Sequence, residues 1–121
     1  MVARGQKKAV GRLGEDIACD YLEGNGFWIM ERNWRSRRGE IDIIARRGDL
    51  TVFVEVKARR GNHFGEPEEA ITPRKARNIR RAAAEYLSRR GPVGKLRFDV
   101  ISIKLGRRDG LERLRHIQSA F

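Results

Sequence analysis

Residues 40–58 read EIDIIARRGDLTVFVEVKA, and this stretch decides the fold. Two runs rich in β-forming residues, Glu40 to Arg46 and Leu50 to Ala58, flank the sequence Arg47-Gly48-Asp49. A Gly-Asp pair between two such runs is typical of a tight β-turn. The stretch therefore predicts an antiparallel hairpin.

The register of this hairpin follows from its turn. If Gly48 and Asp49 form a two-residue turn, Arg47 lies opposite Leu50 and every further pair is fixed. One face then carries Ile41, Ile43, Ala45, Val52, Val54 and Val56. The other face pairs Ile44 with Phe53, Asp42 with Glu55, and Glu40 with Lys57. A slip of one residue would mix the two sets, so the pattern and the turn agree.

Further elements are expected on both sides of the hairpin. Apolar spacing predicts a helix from about Ala9 to Glu23, and Gly24-Asn25-Gly26 ends it. Thr72 and Pro73 begin a second helix that continues to about Arg90, with Thr72 as its N-cap. The remaining predicted strands are Phe27 to Trp34, Leu96 to Leu105 and Glu112 to Gln118. The order α-β-β-β-α-β-β predicts one domain over residues 1–121, of mixed α/β class, in which helices flank a central mixed sheet.

Arginine dominates the charge of the chain. The chain has 27 Lys and Arg against 16 Asp and Glu, which gives a formal net charge of +11, and 21 of the basic residues are arginines. Arginine makes forked hydrogen bonds to phosphate, so we expect a polyanionic partner, with nucleic acid ahead of an acidic membrane surface. The alternative is a compositional bias that replaced lysine with arginine on an ordinary solvated surface.

Several classes of protein do not fit this sequence. Cys19 is the single cysteine, so we expect neither an intramolecular disulfide nor a cysteine-based zinc site. No stretch approaches the ~20 apolar residues of a transmembrane helix, and we expect no membrane insertion. Residues 1–14 contain basic side chains but lack the apolar region of a secretory signal. A reduced, cytoplasmic location is the expectation.

The informative constellation is Asp42 opposite Glu55, with Lys57 two residues further along the same strand face. Like charges on directly opposed strand residues repel, so two such acids need a compensating cation or a raised pKa. A Mg²⁺ ion resolves the repulsion, because it takes oxygen ligands and commonly uses one or two carboxylates together with phosphate oxygens.

An ordinary structural interpretation stands beside the metal site. Asp42 and Glu55 would then lie on a solvated face, where Glu40 and Lys57 form a cross-strand ion pair. Ile44 and Phe53 share that face and favour a cover over it, because large apolar side chains are usually buried.

The same residues resemble a known family. Residues 39–45 (GEIDIIA) and 54–59 (VEVKAR) resemble the PD-(D/E)XK nuclease signature, with Ile41 at the position of its proline. The resemblance extends to Gly14-Glu15, residues 64–67 (FGEP), residues 70–72 (AIT), Lys75 and residues 97–100 (RFDV). Over nearly its whole length the chain is similar to the YraN family of small bacterial predicted endonucleases, related to archaeal-type Holliday junction resolvases. The resemblance implies a restriction-endonuclease-like core.

The resemblance also implies a site and a cofactor. Asp42 and Glu55 would bind Mg²⁺ or Mn²⁺, with the backbone carbonyl of Val56 as a further ligand. Lys57 would orient the attacking water and stabilise charge on the phosphorane. Glu15 matches an acidic residue that related nucleases bring to the metal region, and its alternative is an exposed helix acid.

Basic side chains are candidates for contacts with the nucleic-acid backbone. The set is Arg12, Arg37, Arg38, Arg59, Arg74, Lys75, Arg77 and Arg81. Such contacts position a duplex without reading its sequence. Lys75 is either a residue that approaches the scissile phosphate or a solvated lysine of the first helical turn.

These features lead to one hypothesis and two alternatives. The leading hypothesis is a metal-dependent endonuclease that acts on DNA rather than RNA, including branched or otherwise structured DNA. A chain of this size covers little DNA, which favours a homodimer on long or four-way substrates. The alternatives are a nucleic-acid-binding module without turnover and an adaptor that recruits other proteins.

Overall fold

A computed structural model of the chain describes residues 4–61, 71–90 and 94–121. The elements are α1 (Arg4–Gly24), β1 (Trp28–Arg35), β2 (Glu40–Arg47), β3 (Leu50–Arg60), α2 (Pro73–Arg90), β4 (Lys95–Leu105) and β5 (Leu111–Ile117). The five strands form one sheet in the order β1-β2-β3-β4-β5. The predicted mixed α/β class and element order are confirmed. In the described part of the chain, no helix is long and apolar enough to cross a membrane.

The sheet is mixed because one of its strand pairs is parallel. β1 and β2, β2 and β3, and β4 and β5 pair in antiparallel fashion. β3 and β4 run parallel from Leu50 opposite Lys95 to Arg60 opposite Leu105. Parallel neighbours need a long crossover connection, and α2 lies in that connection.

The hairpin of β2 and β3 has the predicted register. Its described pairs run from Arg47 opposite Leu50 to Ile43 opposite Val54, and Gly48 supplies the positive φ of 60° in the turn. Asp42 and Glu55, expected as the next pair, lie beyond this ladder. At that point the Asp42 side chain, and not a backbone carbonyl of β2, bonds to β3. Its Oδ2 atom accepts a hydrogen bond from the Val56 N–H at 2.8 Å.

Each face of the sheet buries its own apolar cluster. The cluster under α1 contains Ala18 and Leu22 of the helix with Ile43, Val54 and Ile101 of the sheet. The cluster under α2 contains Phe53, Ile44, Ile79, Ala83 and Tyr86. The cover that Ile44 and Phe53 required is therefore α2.

The predicted face of Ile41 is wrong. Ile41 packs in the cluster under α2 and not with Ile43 under α1. It lies opposite Trp34 of β1, which packs against the same α2 cluster. The two-residue alternation of β2 fails at Asp42, whose carboxylate hydrogen-bonds to the backbone of the neighbouring strand.

The helix boundaries agree with local signals in the sequence. The Lys75 N–H donates to Thr72 Oγ1 at 3.1 Å, which confirms Thr72 as the N-cap of α2. α1 begins at Arg4, earlier than predicted, and ends at Gly24 as the glycines indicate. Residues 91–93, which follow α2, and the motif residues 64–67 and 70 lie outside the described residues.

Gly14 brings α1 close to the sheet. A Cβ atom at this position would overlap the Cβ of Ala58 on β3, so only glycine permits the approach. The next residue, Glu15, consequently lies at the junction between helix and sheet.

Candidate active site

A cavity of about 330 Å³ opens where β2 and β3 separate beneath the first turns of α2. Its lining residues are Gly39, Glu40, Asp42, Glu55, Lys75, Asn78 and Ile79. The two acids of the predicted site thus share one cavity wall. Lys57 contacts one of these acids, with its Nζ atom 3.6 Å from Glu55 Oε1.

The Asp42 carboxylate accepts a backbone hydrogen bond, but its surroundings destabilise its negative charge. Its Oδ2 atom accepts the Val56 N–H at 2.8 Å. Burial, reinforced by the negative charge of Glu55, raises the pKa of Asp42 to about 7. A buried carboxylate close to a second acid has a high free energy when charged, so a cation beside Asp42 would stabilise it.

Glu55 is one of the few buried charged residues, with a side chain only 8% exposed. Its Oε1 atom lies 2.6 Å from Lys75 Nζ as well as 3.6 Å from Lys57 Nζ. The solvated-face alternative required Lys57 to pair with Glu40. In the structure Lys57 contacts Glu55, and Glu40 lies 3.9 Å from Arg35.

The surroundings shift the pKa values of Lys57 and Lys75 in opposite directions. Burial and the neighbouring Lys75 ammonium lower the pKa of Lys57. Burial also opposes the charge on Lys75, yet the contact with Glu55 outweighs it and raises the pKa of Lys75. Lys75 is therefore the ammonium that compensates Glu55 most strongly, and it comes from a different element.

Glu15 is not the exposed helix acid of the alternative interpretation. Its side chain is 15% exposed and lies 3.9 Å from Arg32, and the Asn33 side chain hydrogen-bonds to it. Burial raises the pKa of Glu15, and its negative charge contributes to the raised pKa of Asp42. Glu15 therefore acts on the site electrostatically from the α1 side.

The carboxylates at the cavity supply part of the ligand shell that a divalent cation such as Mg²⁺ requires. Among residues 4–61, 71–90 and 94–121, no group of three His, Cys, Asp or Glu side chains is arranged to hold a metal. Asp42 and Glu55 supply two carboxylates at one cavity. Mg²⁺ commonly uses one or two carboxylates and completes its shell with water and phosphate oxygens, so this pair fits Mg²⁺ or Mn²⁺.

Comparison with known proteins places the chain in a family. The model of the uncharacterised protein family UPF0102 matches residues 14–103, which include every residue of the cavity. The chain belongs to UPF0102. A UPF0102 protein of Leifsonia xyli is 52% identical over 99 residues, covering 81% of this chain and 84% of the relative. A second, from Rhodococcus jostii, is 47% identical over 114 residues, covering 93% of this chain and 96% of the relative.

Five of the predicted phosphate-binding arginines of this UPF0102 protein are close in the sequence to residues of the cavity wall. Arg37 and Arg38 are exposed in the turn that leads into Gly39, a residue of the cavity wall. On α2 the exposed residues Arg74 and Arg77 stand beside Lys75 and Asn78 in the sequence, and Arg81 follows one turn later. Arg12 is exposed on α1, and Arg59 is half-buried at the end of β3.

The sequence does not determine the contact of Lys75, and it does not single out Asn78. Lys75 was assigned either to phosphate or to solvent, but its ammonium contacts Glu55 directly. Asn78 was not predicted, although it lines the same cavity. The signal was available, because residues three apart in a helix lie on one face and the Thr72 cap fixes where that helix begins.

Proposed function

We propose that this UPF0102 chain is a metal-dependent endonuclease of the PD-(D/E)XK type that hydrolyses DNA phosphodiester bonds. One observation carries the proposal. Two acids from adjacent strands, Asp42 and Glu55, meet at an open cavity, and the Lys57 ammonium lies 3.6 Å from Glu55. The motif resemblance and this convergence agree on the same three residues.

Each residue has a role in the proposed reaction. Asp42 and Glu55 would hold Mg²⁺ or Mn²⁺, with the Val56 carbonyl as a further ligand. A metal ion bound there supplies charge that neutralises phosphate and lowers the pKa of a bound water. Lys57 stabilises negative charge on the phosphorane and orients the attacking water, and Glu15 adjusts the electrostatics of Asp42.

The surroundings of the cavity support nucleic acid as the substrate. The chain carries a net charge of +11, and exposed arginines lie in the β1–β2 turn and on α2, both of which supply residues to the cavity wall. Arginine binds phosphate through forked hydrogen bonds that do not read base sequence. Branched or otherwise structured DNA is the substrate class to test first, with the chain acting as a homodimer.

A nucleic-acid-binding module without turnover is the second candidate function. The observation that favours it is the double contact on Glu55, since Lys57 and Lys75 together balance its charge without a metal. Such a module would bind DNA in a salt-dependent way, independently of Asp42 and Lys57.

A cleavage assay distinguishes the two functions. Linear, nicked and four-way DNA would be incubated with Mg²⁺ or Mn²⁺, using the wild type, Asp42→Asn and Lys57→Met. We expect each substitution to reduce cleavage on the order of a hundredfold or more. Asp16→Asn is the matched control, because that acid is 59% exposed on α1. Cleavage that survives both site variants rejects the proposed site, and DNA binding without cleavage by the wild type favours the module.

A further inference from the structure

Glu55 already has a cationic partner on one of its two carboxylate oxygens, Oε1. Lys75 Nζ lies 2.6 Å from Glu55 Oε1, slightly closer than the ~2.7–2.9 Å that is usual for a charge-assisted N–H···O hydrogen bond. The Glu55 side chain is 8% exposed, so solvent competes little for this contact. A cation that binds Glu55 through Oε1 must therefore displace the Lys75 ammonium, and one that binds through the other oxygen meets its repulsion.

Lys75 is better suited than Lys57 to move away from the acid. Lys57 lies on the same strand as Glu55, two residues along, and its ammonium stays 1 Å further away at 3.6 Å. Lys75 stands in the first turn of α2, where its side chain is 39% exposed and borders the cavity. Its flexible four-carbon stem lets the ammonium swing into that open space without any change in the backbone.

We propose that the Lys75 ammonium and a divalent cation compete for Glu55. Lys75 then acts as a lock on the metal site that the cation displaces. This inference rests on the proposed function and adds its regulation. Metal binding releases Lys75 from Glu55 and leaves its charge at the cavity wall. The released ammonium is then available to a phosphate oxygen, so metal binding and phosphate binding reinforce each other.

The test is the affinity of the full-length chain for Mn²⁺ in the absence of DNA, measured by isothermal titration calorimetry. Lys75→Met removes the lock and is expected to bind Mn²⁺ on the order of tenfold tighter than the wild type. Arg74→Met is the matched control, because it removes the same charge from the neighbouring exposed position of α2. Circular dichroism establishes that both variants are folded.

The outcomes separate the lock from the proposed function. Tighter Mn²⁺ binding in Lys75→Met alone supports the lock. Equal tightening in Arg74→Met shows a general charge effect and overturns it, as does unchanged or weaker binding in Lys75→Met while the wild type binds in an Asp42-dependent manner. If neither the wild type nor Lys75→Met binds Mn²⁺, the metal site itself fails, and the proposed function fails with it.

Discussion

Asp99 shows how a single buried charge is satisfied in this fold. Its fully buried carboxylate accepts hydrogen bonds from Arg97 Nε and Nη2, at 2.9 Å each, and from the Ser119 N–H at 3.1 Å. His116 Nε2 lies 2.7 Å from Asp99 Oδ2, and His116 Nδ1 lies 2.9 Å from the hydroxyl of Tyr21 on α1. One carboxylate on β4 thus connects β5, the C-terminal residues and the first helix.

This network predicts a specific loss of stability in acid. Burial opposes the charge of Asp99, but hydrogen bonds from His116, Arg97 and Ser119 outweigh it and lower its pKa below the usual 3.8. Because the folded pKa is the lower one, Asp99 stabilises the fold above about pH 4 and loses this contribution as the pH falls through the folded pKa. Asp99→Asn should lower the free energy of unfolding by about 3 kcal/mol at pH 7.

Urea denaturation at pH 7 and at pH 3 measures this effect. The loss of stability between the two pH values should be smaller in Asp99→Asn than in the wild type, since the variant has no carboxyl to protonate there. Asp16→Asn, which removes an exposed salt bridge to Arg32, should cost less than about 1 kcal/mol. Equal costs for the two substitutions would contradict the role given to Asp99.

Individual residues were predictable where their partners are close in the sequence. Arg97 lies two residues from Asp99 on the same strand, a spacing that places both side chains on one face, and the two pair in the structure. Tyr21 and His116 were not predicted, because they meet Asp99 only after α1 and β5 have packed. Asp42 and Glu55 were predictable as neighbours because the hairpin register, extended past Ile43 and Val54, places them opposite each other, although the backbone ladder ends before them.

At the scale of elements, local signals in the sequence predict most of the helices and strands and their order. The Gly48 turn fixes the hairpin register, and the Thr72 cap fixes the start of α2. The face of Ile41 could not be predicted from alternation, which fails where the Asp42 side chain replaces a backbone partner. The contact of Lys75 with Glu55 depends on how α2 packs on the sheet, which no local pattern determines.

The docking of α1 yields a prediction with an internal control. Gly14→Ala introduces a Cβ that overlaps Ala58 on β3, so the helix must shift, and we expect a loss of about 1–3 kcal/mol. Gly11→Ala lies one turn earlier in α1, where the new Cβ has no heavy atom of the described residues within 4 Å outside its chain neighbours and the helix backbone. There we expect a gain of up to about 1 kcal/mol from helix propensity. Thermal unfolding of both variants tests the opposite signs, and equal signs would contradict the close approach.

At the scale of the whole molecule, acidic residues line a cavity in a basic chain. The net charge of +11 coexists with a cavity that gathers Glu40, Asp42 and Glu55. Composition alone predicts a basic protein and a polyanionic partner. The position of the acids within the basic surface follows from the fold, because the β1–β2 turn and the first turns of α2 close around the same cavity.

The stripe of exposed arginines on α2 should set the salt dependence of DNA binding. Each phosphate contact contributes about 0.9 to the slope of log affinity against log salt concentration, so replacing Arg74, Arg77 and Arg81 with Gln should reduce that slope by up to about 3. The control variant replaces the exposed residues Arg107, Arg108 and Arg113, near the sheet edge formed by β5. Because both variants lose the same charge, a similar reduction in both would show that net charge, and not the α2 surface, attracts DNA. Fluorescence anisotropy over a salt series measures both slopes.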